Sequence, residues 1–153
     1  MFIYRIVKAL KAGKVKFAIA GGYAVALHGA VRGTVDLDIV LEISPLNFGR
    51  AEKALKAAGL ESRLPVTAEQ VCSFREEYIK KRNLIGWSFW NPANPAELVD
   101  IIITEDLAGL DTVTVKAGGE RLPVVSRPDL IKMKRRSGRP QDIEDAKALE
   151  ALR

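Results

Sequence analysis

The segment spanning residues 15–42, VKFAIAGGYAVALHGAVRGTVDLDIVLE, restricts the chain to few architectures. Its apolar run FAIA is too short for a helix and ends at Gly21 and Gly22, where the backbone can turn sharply. YAVALHGA has the composition of a short apolar helix closed by Gly29, and VDLDIVLE alternates with the period of a strand. Strand, glycine turn, helix and strand in so short a span open a layered domain of mixed α and β structure.

The alternation in VDLDIV places Asp36 and Asp38 on one side of the strand, roughly 7 Å apart, with Val35, Leu37 and Ile39 expected on the core side. Two carboxylates held together raise each other's pKa, and a divalent cation relieves that penalty. A strand with one wet face would show the same pattern. Asp100 interrupts ELVDIIIT, a run so apolar that both faces of its strand are expected to be covered. A carboxylate there needs a cation or hydrogen-bond donors, unless it caps a turn at the strand mouth. If the two strands are neighbours, three carboxylates converge, as a two-metal phosphoryl-transfer site requires. The glycine pair, at a strand-to-helix turn, would aim backbone N–H groups and a helix dipole at the same place, which suits a phosphate.

The remaining chain fits around this centre. Ile3, Ile6, Val7 and Leu10 recur at helical spacing before Gly13. Ser44-Pro45 opens a helix through Phe48, Ala51, Leu55 and Ala58, stopped by Gly59. A short helix is expected near Ala68–Phe74 within a poorly patterned stretch, 61–80. NLIGWSFWN reads as a strand, NPANP as a turn, and DTVTVKAGGERLPVVS as a hairpin turning at Gly118-Gly119. Helices over about 127–137 and 140–152 finish the chain, capped by Ser126 and opened by Pro140. The expected whole is a single α+β domain over 1–153: a core over 14–125 with a mixed twisted sheet and helices on one side, then a C-terminal helical pair over 126–153.

Several residues read more simply as structure. The only histidine, His28, is expected to be a satisfied, partly buried imidazole, and Trp87, Phe89 and Trp90 to be packing. Asp142 and Asp145 suit the N-terminal turn of their helix. Cys72 stands alone, which excludes an internal disulfide and a cysteine-built zinc site and fits a cytoplasmic protein. No apolar run has the length of a membrane span. The net charge of +5 gathers in KALKAGKVK, KKR and KMKRRSGR, which are either solvated faces or the footprint of an anionic partner.

Gly21-Gly22, a spacer and Asp36-Leu37-Asp38 together resemble the signature of the nucleotidyltransferase superfamily. The stretch is especially similar to the small branch of minimal nucleotidyltransferases and AbiEii-like toxins, in which Arg-x-Thr-x-Asp-Leu-Asp is usual; Arg32, Thr34, Asp36 and Asp38 reproduce it. Lys134, Arg139, Asp142 and Asp145 match that branch's C-terminal pattern, with Arg135, Arg136 and Gln141 departing from it. The resemblance implies a nucleotidyltransferase fold and transfer of a nucleoside monophosphate from a nucleoside triphosphate to a protein or RNA hydroxyl, with release of pyrophosphate. It implies that Asp36 and Asp38 bind two Mg2+ ions and that Asp100 is the third ligand or the base. Gly21 and Gly22 would cradle phosphates, with Arg32 and Thr34 beside them; Lys134 and Arg139 would contact the triphosphate or be solvated helix surface. A toxin–antitoxin partner protein is implied as well. A non-catalytic module keeping the same fold is the alternative.

Overall fold

A computed structural model describes residues 1–153. The elements are α1 (Phe2–Ala12), β1 (Phe17–Ala20), α2 (Gly21–Leu27), β2 (Leu37–Leu41), α3 (Pro45–Ala57), β3 (Glu61–Ser62), α4 (Ala68–Ser73) and α5 (Arg75–Arg82). They continue with β4 (Gly86–Asn91), β5 (Asn94–Ile102), a single 3-10 turn (Leu107–Gly109), β6 (Thr112–Ala117), β7 (Glu120–Val125), α6 (Arg127–Ser137) and α7 (Pro140–Glu150). All seven strands form one mixed sheet in the order β3-β4-β5-β2-β1-β7-β6.

Local chemistry sets the boundaries. Ser44 accepts the Asn47 N–H at 3.1 Å to start α3, and Ser126 accepts that of Asp129 at 3.3 Å to start α6. Gly138, at φ 69°, ends α6 in the left-handed conformation that glycine adopts without strain. Gly118 and Gly119, at φ 57° and 78°, form the two-residue turn between β6 and β7, as the hairpin pattern requires.

Register divides the sheet into two unlike faces. Phe17 and Ile19 of β1 lie opposite Leu41 and Ile39 of β2, Leu37 lies beside Val99 of β5, and Ile101 and Val99 oppose Trp87 and Phe89 of β4. These apolar residues share one face, where Phe48 of α3 stacks on Trp87 at a centroid distance of 6.3 Å. Helices α1 and α4 pack on α3. Burying side chains of this size contributes about 1.5–3 kcal/mol each, so this layer carries most of the cohesion. Trp87 keeps its polar edge satisfied by donating Nε1–H to Ser62 Oγ at 2.9 Å. The opposite face carries Ala18, Ala20 and Val40; α2 packs on it, and α6 and α7 pack on α2. Farther along, it carries Ser88, Asp38 and Asp100.

The sequence expectations are corrected at four places. Val35 is 63% exposed, because β2 begins only at Leu37. The alternating pattern therefore extends two residues beyond the strand it describes. The strand carrying Asp100 has one covered face rather than two; the other is a half-open cleft wall. NPANP is not wholly a turn: only Pro92 and Ala93 turn, while Asn94 and Pro95 begin β5. Pro95 is tolerated there because β2 joins β5 only from Val99 onward, leaving the early part of β5 as an edge with no second partner. Finally, β3 and α5 are additional elements; α5 buries no residue, so no apolar periodicity announces it.

Candidate active site

Two of the three carboxylates meet side by side, and the third stands at the mouth of the same cleft. β2 and β5 are parallel neighbours with Asp38 directly in register with Asp100, so both side chains leave the same face. Asp36, just ahead of β2, is exposed at the cleft mouth. On the far side of Asp100, Ser88 of β4 stands in register and donates its hydroxyl to Asp100 Oδ1. Ser88 was not among the residues singled out from the sequence. The alternation in GWSFWN carries the signal, since Ser88 must face away from Trp87 and Phe89.

Asp38 is charged at a price set by its surroundings. Burial, then the charge of Asp100, pushes its carboxyl up to about 7; Asp36 adds to this, while Lys134 and Arg139 oppose it. No side-chain hydrogen bond contributes. Asp36 is raised too, by burial first and Asp100 second. A largely buried carboxylate with no side-chain hydrogen bond and only partial compensation from nearby cations is an unusual structural choice and a natural ligand choice.

The glycine pair explains part of this packing. A Cβ on Gly21, which sits at φ 63°, would overlap the Asp38 carboxylate and stand 2.8 Å from Asp38 Cβ. A Cβ on Gly22 would lie 2.9 Å from both Cβ and Oγ1 of Thr34. The volumes that side chains would occupy are thus already filled by Asp38 and Thr34. Gly21 also begins α2 itself, so the helix starts two residues earlier than its apolar pattern suggests.

The C-terminal helices supply an ionic wall. Lys134 is buried, with its ammonium 2.9 Å from Asp145 Oδ2 and 3.4 Å from Asp142 Oδ1. The shorter approach lies off the hydrogen-bond direction, so Asp145 Oδ2 is ion-paired without accepting a hydrogen bond. This excludes solvated helix surface for Lys134. Arg32 Nε pairs with Asp145 Oδ1 at 3.0 Å, and Arg139 Nε with Asp142 Oδ2 at 2.8 Å. Asp142 also accepts the Arg139 backbone N–H at 3.2 Å, which is the helix-start role expected of it. Although burial works against ionisation, the Arg139 hydrogen bonds hold Asp142 down at about 2, and Lys134, Gln141 and Arg32 hold Asp145 below its usual range.

All nine residues marked from the sequence, Gly21, Gly22, Arg32, Thr34, Asp36, Asp38, Asp100, Lys134 and Arg139, line one cleft of about 1000 Å³. The cleft continues past Asp100 along Ser88, Asn83, Ile85, Thr104, Glu105 and Arg136. His28 lies outside it, its ring Nε2–H donating to Val125 O at 2.8 Å, and Trp87 and Phe89 are wholly buried. No three acidic, histidine or cysteine side chains are gathered closely enough to hold an ion alone. The donor set still fits a hard cation whose coordination is completed by phosphate oxygens and water, the habit of magnesium at nucleotide sites. No helix is long and apolar enough to cross a membrane.

No protein-family model and no curated protein matches the sequence. Solved structures share the fold. The antibiotic-resistance factor ANT(2'')-Ia matches with a TM-score of 0.65 at 14% identity, over 97% of this chain and 80% of that one. The lincosamide antibiotic adenylyltransferase LnuA, solved with lincomycin bound, matches at 0.63 and 16%, over 99% and 96%. An antigenic nucleotidyltransferase-like protein from Paracoccidioides brasiliensis matches at 0.58 and 18%, over 97% and 74%. The fold is that of nucleotidyltransferases.

Proposed function

We propose that this chain is a metal-dependent nucleotidyltransferase that moves a nucleoside monophosphate from a nucleoside triphosphate to a hydroxyl acceptor. The observation that carries the proposal is the in-register pair Asp38–Asp100, with Asp36 at the mouth and no hydrogen bond compensating Asp38. Asp36, Asp38 and Asp100 would hold divalent cations, magnesium by the sequence resemblance, which when bound neutralise the triphosphate and acidify the acceptor hydroxyl.

The residues divide the work along the cleft. Gly21 and Gly22, at the start of α2, bring backbone close to the polyphosphate, and Arg32, Thr34, Lys134 and Arg139 face its negative charge. Asp100 has Oδ1 engaged by Ser88, so Oδ2 is free for a cation or for the acceptor proton. The acceptor oxygen bonds to the α-phosphorus, the bond from that phosphorus to the β-phosphate oxygen breaks, and pyrophosphate leaves toward the cationic wall. Catalysis on this plan is positioning and charge neutralisation.

ANT(2'')-Ia has been solved in complex with adenylyl-2''-tobramycin. In this chain the cleft beyond Asp100 ends at Glu105, which is paired with Arg136 at 2.5 Å. A protein or RNA hydroxyl as acceptor rests on the motif resemblance. A toxin–antitoxin role belongs to the same proposal and rests on the motif resemblance; co-purification with the product of an adjacent gene tests it.

The main test is incubation of the purified protein with each α-labelled nucleoside triphosphate, magnesium and cell extract. Label should enter protein or RNA with pyrophosphate release, and Asp38→Asn should abolish both. Nucleotide binding without transfer to any acceptor would favour the non-catalytic module instead.

A further inference from the structure

The loop joining α2 to β2 carries three residues of the cleft, Arg32, Thr34 and Asp36, yet only one side-chain hydrogen bond ties it to the rest of the molecule. Residues 31–36 make only three hydrogen bonds involving side chains. Arg32 reaches its own neighbour Gly33 O, Thr34 Oγ1 reaches Asp36 O at 3.3 Å, and Arg32 Nε reaches Asp145 at 3.0 Å. Only the last leaves the loop. Val31 and Val35 are exposed, so apolar packing does not fix it either.

Asp145 lies at the other end of this tie and is a buried residue of α7, 2% exposed. It binds Arg32 and Gln141 through Oδ1 and faces Lys134 through Oδ2. One carboxylate therefore joins the loop, α6 and α7. Three cations (Arg32, Lys134, Arg139) face two carboxylates (Asp142, Asp145), which leaves this wall net positive toward the cleft. Arg32 is also the residue that closes over the start of α2, its Cζ lying 3.4 Å from where a Gly22 side chain would begin.

We propose that Asp145 is a positioning residue: it latches the 31–36 loop to the C-terminal helices through Arg32, and so presets the cationic wall that receives a polyphosphate. Burial suits this task. A latch shielded from water holds a guanidinium in one orientation, whereas an exposed pair would exchange among many. The proposal rests on the polyphosphate reading of the cleft, but not on the identity of the acceptor or the base.

The test uses inorganic tripolyphosphate with magnesium, which needs neither acceptor nor base, measured by titration calorimetry on the full chain. Asp145→Asn should weaken its binding by about tenfold or more, as loss of a partner that orients a liganding side chain does. Hydrogen exchange over 31–36 should accelerate in the same variant. Arg32→Gln releases the latch from the loop side, leaving α7 untouched; because Arg32 itself faces the polyphosphate, hydrogen exchange over 31–36 is its deciding readout if Asp145→Asn does not fold. The double variant should lose much less than the product of the two single losses, because both act through one contact. Glu150→Gln, on α7 but paired with Arg135 at the surface, should change nothing.

Multiplicative losses, or unchanged exchange over 31–36 in both variants, overturn the latch while leaving the polyphosphate site standing. Absence of tripolyphosphate and nucleotide binding by the parent protein overturns both.

Discussion

Replacing Asp38 by asparagine should stabilise the protein in the absence of metal. Asp38 rises from an ordinary 3.8 to about 7, chiefly by burial and then by Asp100, and no side-chain hydrogen bond offsets either cause. That distance corresponds to about 4 kcal/mol spent on keeping the group charged at neutral pH. Water in the open cleft screens part of it, so a gain of about 2 kcal/mol is expected, or about 4–8 °C in Tm for a chain of this size. The sign follows from proton counts. Between pH 3.8 and 7 the folded state binds more protons at Asp38 than the unfolded state, so stability falls as pH rises through that window. The advantage of Asp38→Asn should be absent below about pH 4, grow through the window and be complete above about pH 7. Urea melts of both proteins at several pH values, with chelator present, measure this. With magnesium and a nucleoside triphosphate the order should reverse, because only the parent gains the mass-action shift. A variant less stable than the parent at pH 8 without metal would show that Asp38 is a structural acceptor, and the reasoning would fail.

Gly21→Ala places a methyl group against the Asp38 carboxylate at a positive φ. It should lower stability by about 1–3 kcal/mol and abolish the metal-plus-triphosphate shift, both read from melting curves. Asn47→Ala removes the acceptor of the Lys16 N–H at 2.8 Å and the donors to Lys16 O and Glu42 O. With those part-buried backbone groups short of partners, a loss of about 1–2 kcal/mol in urea unfolding is expected, without effect on nucleotide binding. Acid should attack the ionic wall last. Asp142 and Asp145 are both depressed, Asp142 to about 2, so their stabilisation is present above their unfolded values near 3.8 and disappears as pH falls toward 2. Asp142→Asn should therefore flatten the stability profile between pH 4 and 2.

How much of this could be read beforehand depended on whether a residue's role is expressed in spacing. The strand with Asp38 and the strand with Asp100 announce themselves through apolar neighbours, and adjacency then brings the carboxylates together. The caps at Ser44 and Ser126 act within a few residues and are equally plain. Lys134 is different. Its ammonium is buried by Asp142 and Asp145, from a helix that folds back on its own, and a basic run such as KMKRRSGR gives no sign of which cation turns inward. Helix α5 escaped notice because its reason for being helical is local: acidic residues in its first turn, basic ones in its last, and no buried face. The glycine pair was legible as a turn, but which side chains fill its missing volumes depends on Thr34 and Asp38 returning to it.

The register between β2 and β5 has a consequence for how errors are sorted. Side chains alternate along β5, so a slip of one residue would bring Ile101 into the cleft and drive Asp100 against Trp87 and Phe48. Such a molecule would bury an unpaired carboxylate and expose its best core residue, and it would not persist. Mispairing and loss of the site are one event. Any chain that reaches full stability has its carboxylates aligned, so quality control that removes unstable molecules also proofreads the chemistry, without ever sensing the cleft.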